Sequence, residues 1–269
     1  MINEILDMRV EGSVGKPTLT TYLISYTDAL VVKKRPLVLI CPGGGYSHVS
    51  DREGEILALQ FLAMGYHAAV LRYSVSPAVY PTQLLELAKA MSTIREHTKE
   101  WCIEEDKIIL QGSSAGAHLA ASLGCFWNQA FLAQAAGVEN RMLCPNAMIL
   151  SYPVITSGEF AHKDSFVKLL GDRYNELLEQ MSLENQVTED TPKTFLWHTY
   201  EDGAVPMENS LLFAQALRKK NIPLELHIYP RGGHGLGLGN ILTSSMPGKE
   251  IQPEISTWIA MAGTFITLL

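Results

Sequence analysis

The chain has 269 residues, of which 47% are hydrophobic and 18% charged, and its formal net charge is −7. This balance is typical of a globular protein with a substantial core, in one large α/β domain or two small ones. The mild acidity excludes the basic face that a nucleic-acid-binding protein normally presents. The N-terminus shows no basic segment followed by an apolar one, and the apolar runs are far shorter than a membrane span. We therefore expect no secretory leader, no membrane partner and a cytoplasmic location.

Short apolar, β-branched segments alternate with longer amphipathic segments along the chain, which predicts strands separated by helices. In chain order, the predicted strands are residues 18–26, 36–41, 67–73, 107–111, 147–151, 194–198 and 224–229. The predicted helices are residues 54–64, 81–99, 115–126, 207–221 and 255–268. This order predicts an α/β fold with a mostly parallel sheet and helices on both faces. Ligands bind at the carboxyl ends of the strands in such sheets, so functional residues should follow strands directly.

Residues 153–191 interrupt this alternation. The segment is polar, with two short helices predicted at residues 165–170 and 174–181, and it is too short for a separate domain. We interpret residues 1–269 as one domain in which residues 153–191 form a small cap beside the active site. The alternative is a plain surface connection.

The four cysteines show no CxxC pairing and no histidine at metal-ligand spacing. They are Cys41, Cys102, Cys125 and Cys144. We expect them to be reduced and mostly buried, with no metal site, as is usual in a cytoplasmic protein.

The segment Gly112-Ser113-Ser114-Ala115-Gly116 lies between a predicted strand and an alanine-rich helix. This is the context of a G-x-S-x-G nucleophile elbow, in which a sharp turn lifts the serine hydroxyl above the sheet. The N-terminus of the following helix favours negative charge that develops there. Ser114 is therefore the predicted nucleophile, against the alternative of a chance glycine and serine loop.

A serine nucleophile needs a general base, and the chain has eight histidines. His234 is the candidate, because it lies on a glycine-rich loop just after the last predicted strand. His118 lies one turn into the helix after Ser114, which should carry it away from the catalytic surface into a structural role. His198 ends a strand and is interpreted as a positioning residue.

The base needs an orienting acid, and in this arrangement the acid falls between the nucleophile and the histidine along the chain. Asp202 follows the predicted strand 194–198 and meets that order. Glu201 is its competitor, and we favour Asp202 because the turn and the Val-Pro that follow suit it better. Asp172 and Asp190 lie in the 153–191 segment and are expected to be solvated.

A tetrahedral intermediate also needs preplaced donors for its oxyanion. One predicted donor is the backbone N–H of Ala115, the residue after the nucleophile. The others are Gly44 and Gly45, in the glycine run that follows the strand 36–41. The alternatives for this run are a flexible turn or a phosphate loop, but no Gly-Lys-Ser/Thr follows, which excludes a Walker loop.

Four segments together resemble the acetyl-esterase-like α/β-hydrolases, relatives of carbohydrate esterases of the acetylxylan and feruloyl type that are often called sugar hydrolases. These segments are Pro42 to Tyr46, Gly112 to Gly116, His198 to Pro206 and Gly233 to Gly235. The chain has Pro42 where the hormone-sensitive-lipase-like esterases carry a histidine before the glycines, which favours the sugar-esterase branch. The resemblance implies a serine carboxylesterase that cleaves a small acyl ester, such as the acetyl ester of a sugar.

We expect an acyl-enzyme on Ser114, no cofactor, and a small-molecule ester as the binding partner; a homodimer is left open. The absence of a long lid insertion argues for small soluble esters over triglycerides. One rival function is a small-peptide serine peptidase of the prolyl-oligopeptidase-like type, although the chain is too short for that group's extra domain. Another is a catalytically silent binding protein. Four aromatic residues could line a sugar or acyl pocket, with core packing as the favoured interpretation: Tyr46, Tyr73, Tyr80 and Trp127.

Overall fold

The computed structural model describes all 269 residues, and an eight-stranded sheet runs through its centre. The strands are β1 (Ile5–Asp7), β2 (Thr18–Tyr22), β3 (Arg35–Cys41), β4 (His67–Arg72), β5 (Ile103–Ser113), β6 (Ala147–Ser151), β7 (Lys193–Thr199) and β8 (Leu224–Tyr229). Their spatial order is β1-β2-β4-β3-β5-β6-β7-β8. The pairs β1–β2 and β2–β4 are antiparallel, and all other neighbours are parallel. The mostly parallel α/β sheet expected from the sequence is therefore present.

Helices cover both faces of this sheet. They are α1 (Glu55–Ala63), α2 (Thr82–Glu96), α3 (Ala115–Phe126), α4 (Ala130–Ala136), α5 (Lys163–Leu170), α6 (Tyr174–Leu177), α7 (Glu208–Lys219) and α8 (Trp258–Thr267). Alternate residues of a strand point to opposite faces, so β3 sends Leu37 and Leu39 into one apolar core and Val38 and Ile40 into the other. The first core holds side chains of α2 to α7, and the second holds those of α1 and α8. No helix of the chain is both long and apolar enough to cross a bilayer.

The sequence-based boundaries were wrong at several places where pairing, rather than local pattern, decides the structure. The strand predicted at 18–26 ends at Tyr22, whose partner Ala68 is the second residue of β4, so the paired length of β4 is almost used up there. The strand predicted at 107–111 begins at Ile103, where a separate pairing with Arg35 extends it past three charged residues. The helix predicted at 174–181 stops at Leu177. Strand β1 and helix α4 were not predicted.

The start of α3 lies unusually close to the end of β3. A Cβ atom added at Gly116 would stand 2.1 Å from the carbonyl oxygen of Cys41 and 2.3 Å from that of Pro42. Both are backbone atoms and cannot turn aside as a flexible side chain would. Gly116 therefore lets the helix that follows the predicted nucleophile approach the loop that follows β3.

Gly116→Ala should lower the free energy of unfolding by roughly 1–3 kcal/mol, because the new methyl group must push these two backbone segments apart. Urea unfolding of the purified variant measures the effect. Gly203→Ala is the matched control, since nothing lies within 4 Å of a Cβ at Gly203 and its backbone needs no left-handed conformation. Equal stability of the two variants would contradict the close approach.

Candidate active site

Four loops meet at one edge of the sheet, and each carries a predicted site residue. They follow β3, β5, β7 and β8, which belong to the continuous parallel part of the sheet. Parallel strands end at the same edge, so residues far apart in sequence are brought together there. The structure thereby groups Gly44, Gly45, Ser114, Asp202 and His234.

Ser114 lies in the turn between β5 and α3 with a φ of +54°. Non-glycine residues rarely adopt this left-handed region, and such strain persists only where the surroundings enforce it. The Ser114 N–H donates to the carbonyl of Ser151 on the neighbouring strand over 3.0 Å. The turn leaves the Ser114 hydroxyl oxygen 2.6 Å from Nε2 of His234.

His234 bridges the serine to a buried carboxylate. Its Nδ1 lies 2.6 Å from Oδ2 of Asp202, which is 5% exposed. Burial by itself would raise the pKa of Asp202, but hydrogen bonds from His198, His234 and the Val205 N–H together hold that pKa below its ordinary value. Asp202 is therefore ionised and only accepts, so the Nδ1 of His234 carries the hydrogen. Its Nε2 is then free to accept the hydrogen of the Ser114 hydroxyl.

The loop after β7 surrounds Asp202 with donors. The N–H groups of Ala204 and Val205 donate to its Oδ1 over 3.0 and 2.9 Å. The Nε2 of His198 lies 3.3 Å from its Oδ2 and donates to the carbonyl of Val205, so this nitrogen is protonated. Glu201, the competing acid, turns elsewhere and accepts the N–H of Gly232. The structure thus places Asp202, and not Glu201, beside His234.

His118 lies in the interior, one turn along α3. Its Nε2 donates to the carbonyl of Met181 over 3.0 Å, and its Nδ1 lies 2.9 Å from the hydroxyl of Tyr46. Burial lowers the pKa of His118 to about 4, so it is neutral. It makes no contact with Ser114 through its side chain and serves the packing between α3 and the 153–191 segment.

The glycine loop after β3 turns its carbonyl groups inward. The carbonyl of Gly43 accepts from Ser50, and that of Gly44 accepts from the N–H groups of Ser47 and His48. Gly44 has a φ of +128°, and a Cβ there would stand 2.1 Å from the carbonyl oxygen of His48, so only glycine fits. The Gly44 and Gly45 N–H groups have no acceptor within the chain. The Ala115 N–H, at the first position of α3, has none within its helix.

A cavity of about 350 Å³ opens over Ser114, and no hydrophobic residue lines it. Besides Ser114 and His234, its wall includes the two glycines of the loop, the imidazoles of His48 and His162, and the carboxylate of Asp164. His162 and Asp164 come from the 153–191 segment. Nowhere in the chain are three or more His, Cys, Asp or Glu side chains grouped so that they could hold a metal ion.

The four aromatic residues that might have lined a pocket lie elsewhere. Tyr46 and Tyr73 are buried in the core, with the Tyr73 hydroxyl donating to the carbonyl of Pro42. Tyr80 and Trp127 pack against the same core from outside. Asp172 is exposed, and Asp190 accepts a hydrogen bond from Asn128 on the surface.

Sequence reasoning missed the second layer of the site. Glu53 and Tyr152, both buried, meet beneath the cavity over 2.5 Å, although 99 residues separate them in the chain. No local signal marks Glu53, because other charged residues surround it at positions 51, 52 and 55. His162 gave no signal, because a histidine in a polar segment looks solvated.

Comparisons with known proteins show which family the chain belongs to. A family profile described as BD-FAE matches residues 25–217. The chain is 40% identical over 238 residues to a protein named endo-1,4-beta-xylanase B from Butyrivibrio fibrisolvens, and 30% identical over 225 residues to an acetylxylan esterase from Xylanibacter ruminicola. These matches cover 86% and 81% of this chain, which spans only 36% and 44% of the length of these two curated relatives.

Among solved structures, an acetyl ester-xyloside bifunctional hydrolase from Caldicellulosiruptor lactoaceticus is similar over nearly the whole length. It superimposes with a TM-score of 0.84 at 32% identity, covering 98% of this chain and 96% of that one. The α/β-hydrolase fold expected from the sequence is confirmed by this match and by the sheet topology.

A fluorophosphonate probe should label Ser114, because the probe reacts with a serine whose proton is removed by a histidine. Asp202→Asn should slow this labelling by about 10³–10⁴-fold, since His234 would lose the carboxylate that orients it. Glu201→Gln is the matched control and should label at nearly the wild-type rate. The rate is read from gel fluorescence against time, and a greater loss in Glu201→Gln would reverse the choice of acid.

Proposed function

The chain belongs to the BD-FAE family, and on that premise we propose that it is a serine carboxylesterase that hydrolyses short-chain acyl esters. The acetyl esters of sugars are the substrates we propose first. The observation that carries the proposal is the continuous hydrogen-bonded series from Asp202 through His234 to Ser114, with 2.6 Å at each step. The assignment of Ser114 as nucleophile, His234 as base and Asp202 as acid is part of this proposal.

In the first half-reaction, Ser114 Oγ attacks the ester carbonyl carbon while His234 Nε2 takes the hydroxyl proton. The negative charge on the carbonyl oxygen is met by the N–H groups of Ala115, Gly44 and Gly45. These donors are already held in place, so little reorganisation is needed as charge develops. His234 then returns the proton to the leaving alcohol oxygen, the bond from the carbonyl carbon to that oxygen breaks, and an acyl-enzyme on Ser114 remains.

In the second half-reaction, water enters where the alcohol stood. His234 removes a proton from this water as its oxygen attacks the acyl carbon, and the same donors hold the second oxyanion. The tetrahedral intermediate collapses, Ser114 recovers its proton from His234, and the acid leaves. No step of this sequence asks for a metal or an organic cofactor.

The polar wall of the cavity favours an ester whose alcohol part is rich in hydroxyl groups. A cavity without hydrophobic lining offers little to a long acyl chain, which gains its affinity from apolar contact. Burial, and then the nearby His234, lower the pKa of His162, so a neutral imidazole faces the site. Its Nδ1 is engaged by the hydroxyl of Ser165 over 2.8 Å, which leaves Nε2 for a substrate hydroxyl. Two similar proteins are named acetylxylan esterase and acetyl ester-xyloside bifunctional hydrolase, in keeping with this substrate class.

The 153–191 segment is proposed to act as a small cap within a single domain. It contributes His162 and Asp164 to the cavity wall. Ser165 of α5 lies 3.7 Å from where a Cβ of Gly45 would stand, so the segment and the loop are adjacent.

Ser114→Ala should lower kcat on p-nitrophenyl acetate by on the order of 10⁴–10⁶-fold, because no other group can form the acyl-enzyme. Release of p-nitrophenolate measures the rate. Ser122→Ala is the matched control, a buried serine on α3 whose hydroxyl donates to the His118 carbonyl and does not reach the cavity. Unchanged turnover in Ser114→Ala would refute the proposed function.

His162→Ala should reduce kcat/KM about tenfold more for an acetylated xyloside than for p-nitrophenyl acetate, which corresponds to the loss of one hydrogen bond to a sugar hydroxyl. Acetate release measures the first substrate and absorbance the second. His97→Ala serves as control, because His97 stacks on Trp101 away from the cavity. Equal losses on both substrates would count against sugar recognition by His162 while leaving the esterase proposal intact.

A further inference from the structure

Glu53 is a buried carboxyl group at the edge of the active-site cavity, and no arginine or lysine is paired with it. It is 4% exposed and stands in a short helical turn, Asp51–Glu53, that precedes α1. Its Oε2 accepts the N–H of Gly43 over 2.8 Å. Gly43 immediately precedes the two glycines proposed as oxyanion donors, and its carbonyl accepts from Ser50. The peptide groups on both sides of Gly43 are thereby fixed.

The other oxygen of Glu53 reaches the opposite side of the site. Its Oε1 accepts the hydroxyl hydrogen of Tyr152 over 2.5 Å. Burial, and then the neighbouring Glu53, raise the pKa of Tyr152 well above its ordinary value, so the phenol keeps its hydrogen and donates. The same hydroxyl oxygen accepts the N–H of Gly237, three residues after His234. The Tyr152 ring also meets the His234 ring edge to face, with centroids 5.2 Å apart.

Arg52, the residue before Glu53, contacts the histidine loop directly. Its Nη2 donates to the carbonyl of Gly235 over 2.9 Å, and its Nε donates to the carbonyl of Thr243 over 2.6 Å. Glu250 accepts from the same Nη2 over 2.8 Å. Two consecutive side chains of one turn therefore bind different loops: Glu53 binds the glycine loop after β3, and Arg52 binds the loop that carries His234.

We propose that Glu53 is a positioning residue that, through Gly43 and through Tyr152, aligns the oxyanion donors with His234. This inference rests on the proposed function and adds to it a residue whose two carboxyl oxygens bind Gly43 and Tyr152 rather than the reacting atoms. Glu53 acts through the orientation of the Gly44 and Gly45 N–H groups, which follow Gly43 in the same loop. A misaligned N–H donor binds the carbonyl oxygen of the bound substrate almost as well as before. It stabilises the oxyanion of the tetrahedral state less, so kcat falls while KM changes little.

The experiment uses Glu53→Gln and Tyr152→Phe in the full chain. The glutamine supplies one acceptor and one donor where the carboxylate supplies two acceptors, and the phenylalanine removes the link to the histidine loop. We expect kcat on p-nitrophenyl acetate to fall about 10- to 100-fold in each, with KM changed by less than about threefold. Active-site titration with a fluorophosphonate expresses kcat per functional site, so partly unfolded protein does not count as slow enzyme.

The affinity for a transition-state mimic separates alignment from folding, because a purely structural role of Glu53 would not change that affinity per functional site. Ser114 Oγ adds to the carbonyl carbon of a trifluoromethyl ketone, and the resulting oxyanion lies against the proposed N–H donors. The affinity of each variant for this inhibitor should therefore fall by the same factor as its kcat/KM. The double variant should lose no more than about twice what the worse single variant loses, because both substitutions break one network.

Glu55, two residues after Glu53, offers a control pair with Tyr22. Glu55 accepts the hydroxyl of Tyr22 over 3.2 Å outside the cavity, so Glu55→Gln and Tyr22→Phe repeat the same substitutions where no alignment is expected. Their kcat per titrated site should match that of the wild type. Wild-type-like kcat and inhibitor affinity in both Glu53→Gln and Tyr152→Phe would overturn the inference. An inactive wild type would instead refute the proposed function, so the two failures are distinguishable.

Discussion

An ionised carboxylate in a protein interior must be surrounded by hydrogen-bond donors, and this need of Asp202 organises the site. Two backbone N–H groups and two imidazoles converge on it. Because Asp202 can only accept, it determines which nitrogen of His234 carries the hydrogen. That tautomer in turn leaves Nε2 facing Ser114 as a base. In the proposed mechanism, the chemistry at the serine therefore depends on a carboxylate that does not contact the reacting atoms.

The position of Ser114, the proposed nucleophile, depends on a second constraint, the packing of α3 against the end of β3. Gly116 permits a backbone approach that no other residue allows, and the turn before it holds Ser114 in a left-handed conformation. This contact lies directly before the glycine loop that follows β3. The strained serine and the proposed oxyanion donors therefore flank one helix-to-strand contact, and a change in that contact should alter both.

The cavity above these groups is the basis for proposing an alcohol rich in hydroxyl groups as part of the substrate. No hydrophobic residue lines it, and the 153–191 segment contributes His162 and Asp164 to its wall. Glu53 and Tyr152 link the glycine loop after β3 to the loop that carries His234 through buried hydrogen bonds. Buried bonds of this kind resist water and hold geometry better than exposed ones.

The sequence by itself determined what local chemistry requires. Sharp turns require glycines around Ser114 and after β3, so these glycines can be recognised along the chain. The order of serine, acid and histidine, each after a predicted strand, can be recognised in the same way. Alternating apolar runs likewise predicted most of the sheet. The tertiary structure alone decided between Glu201 and Asp202, paired Glu53 with Tyr152, and brought His162 to the cavity. These contacts join residues distant in sequence, and they depend on strand order and loop direction, which no local pattern encodes.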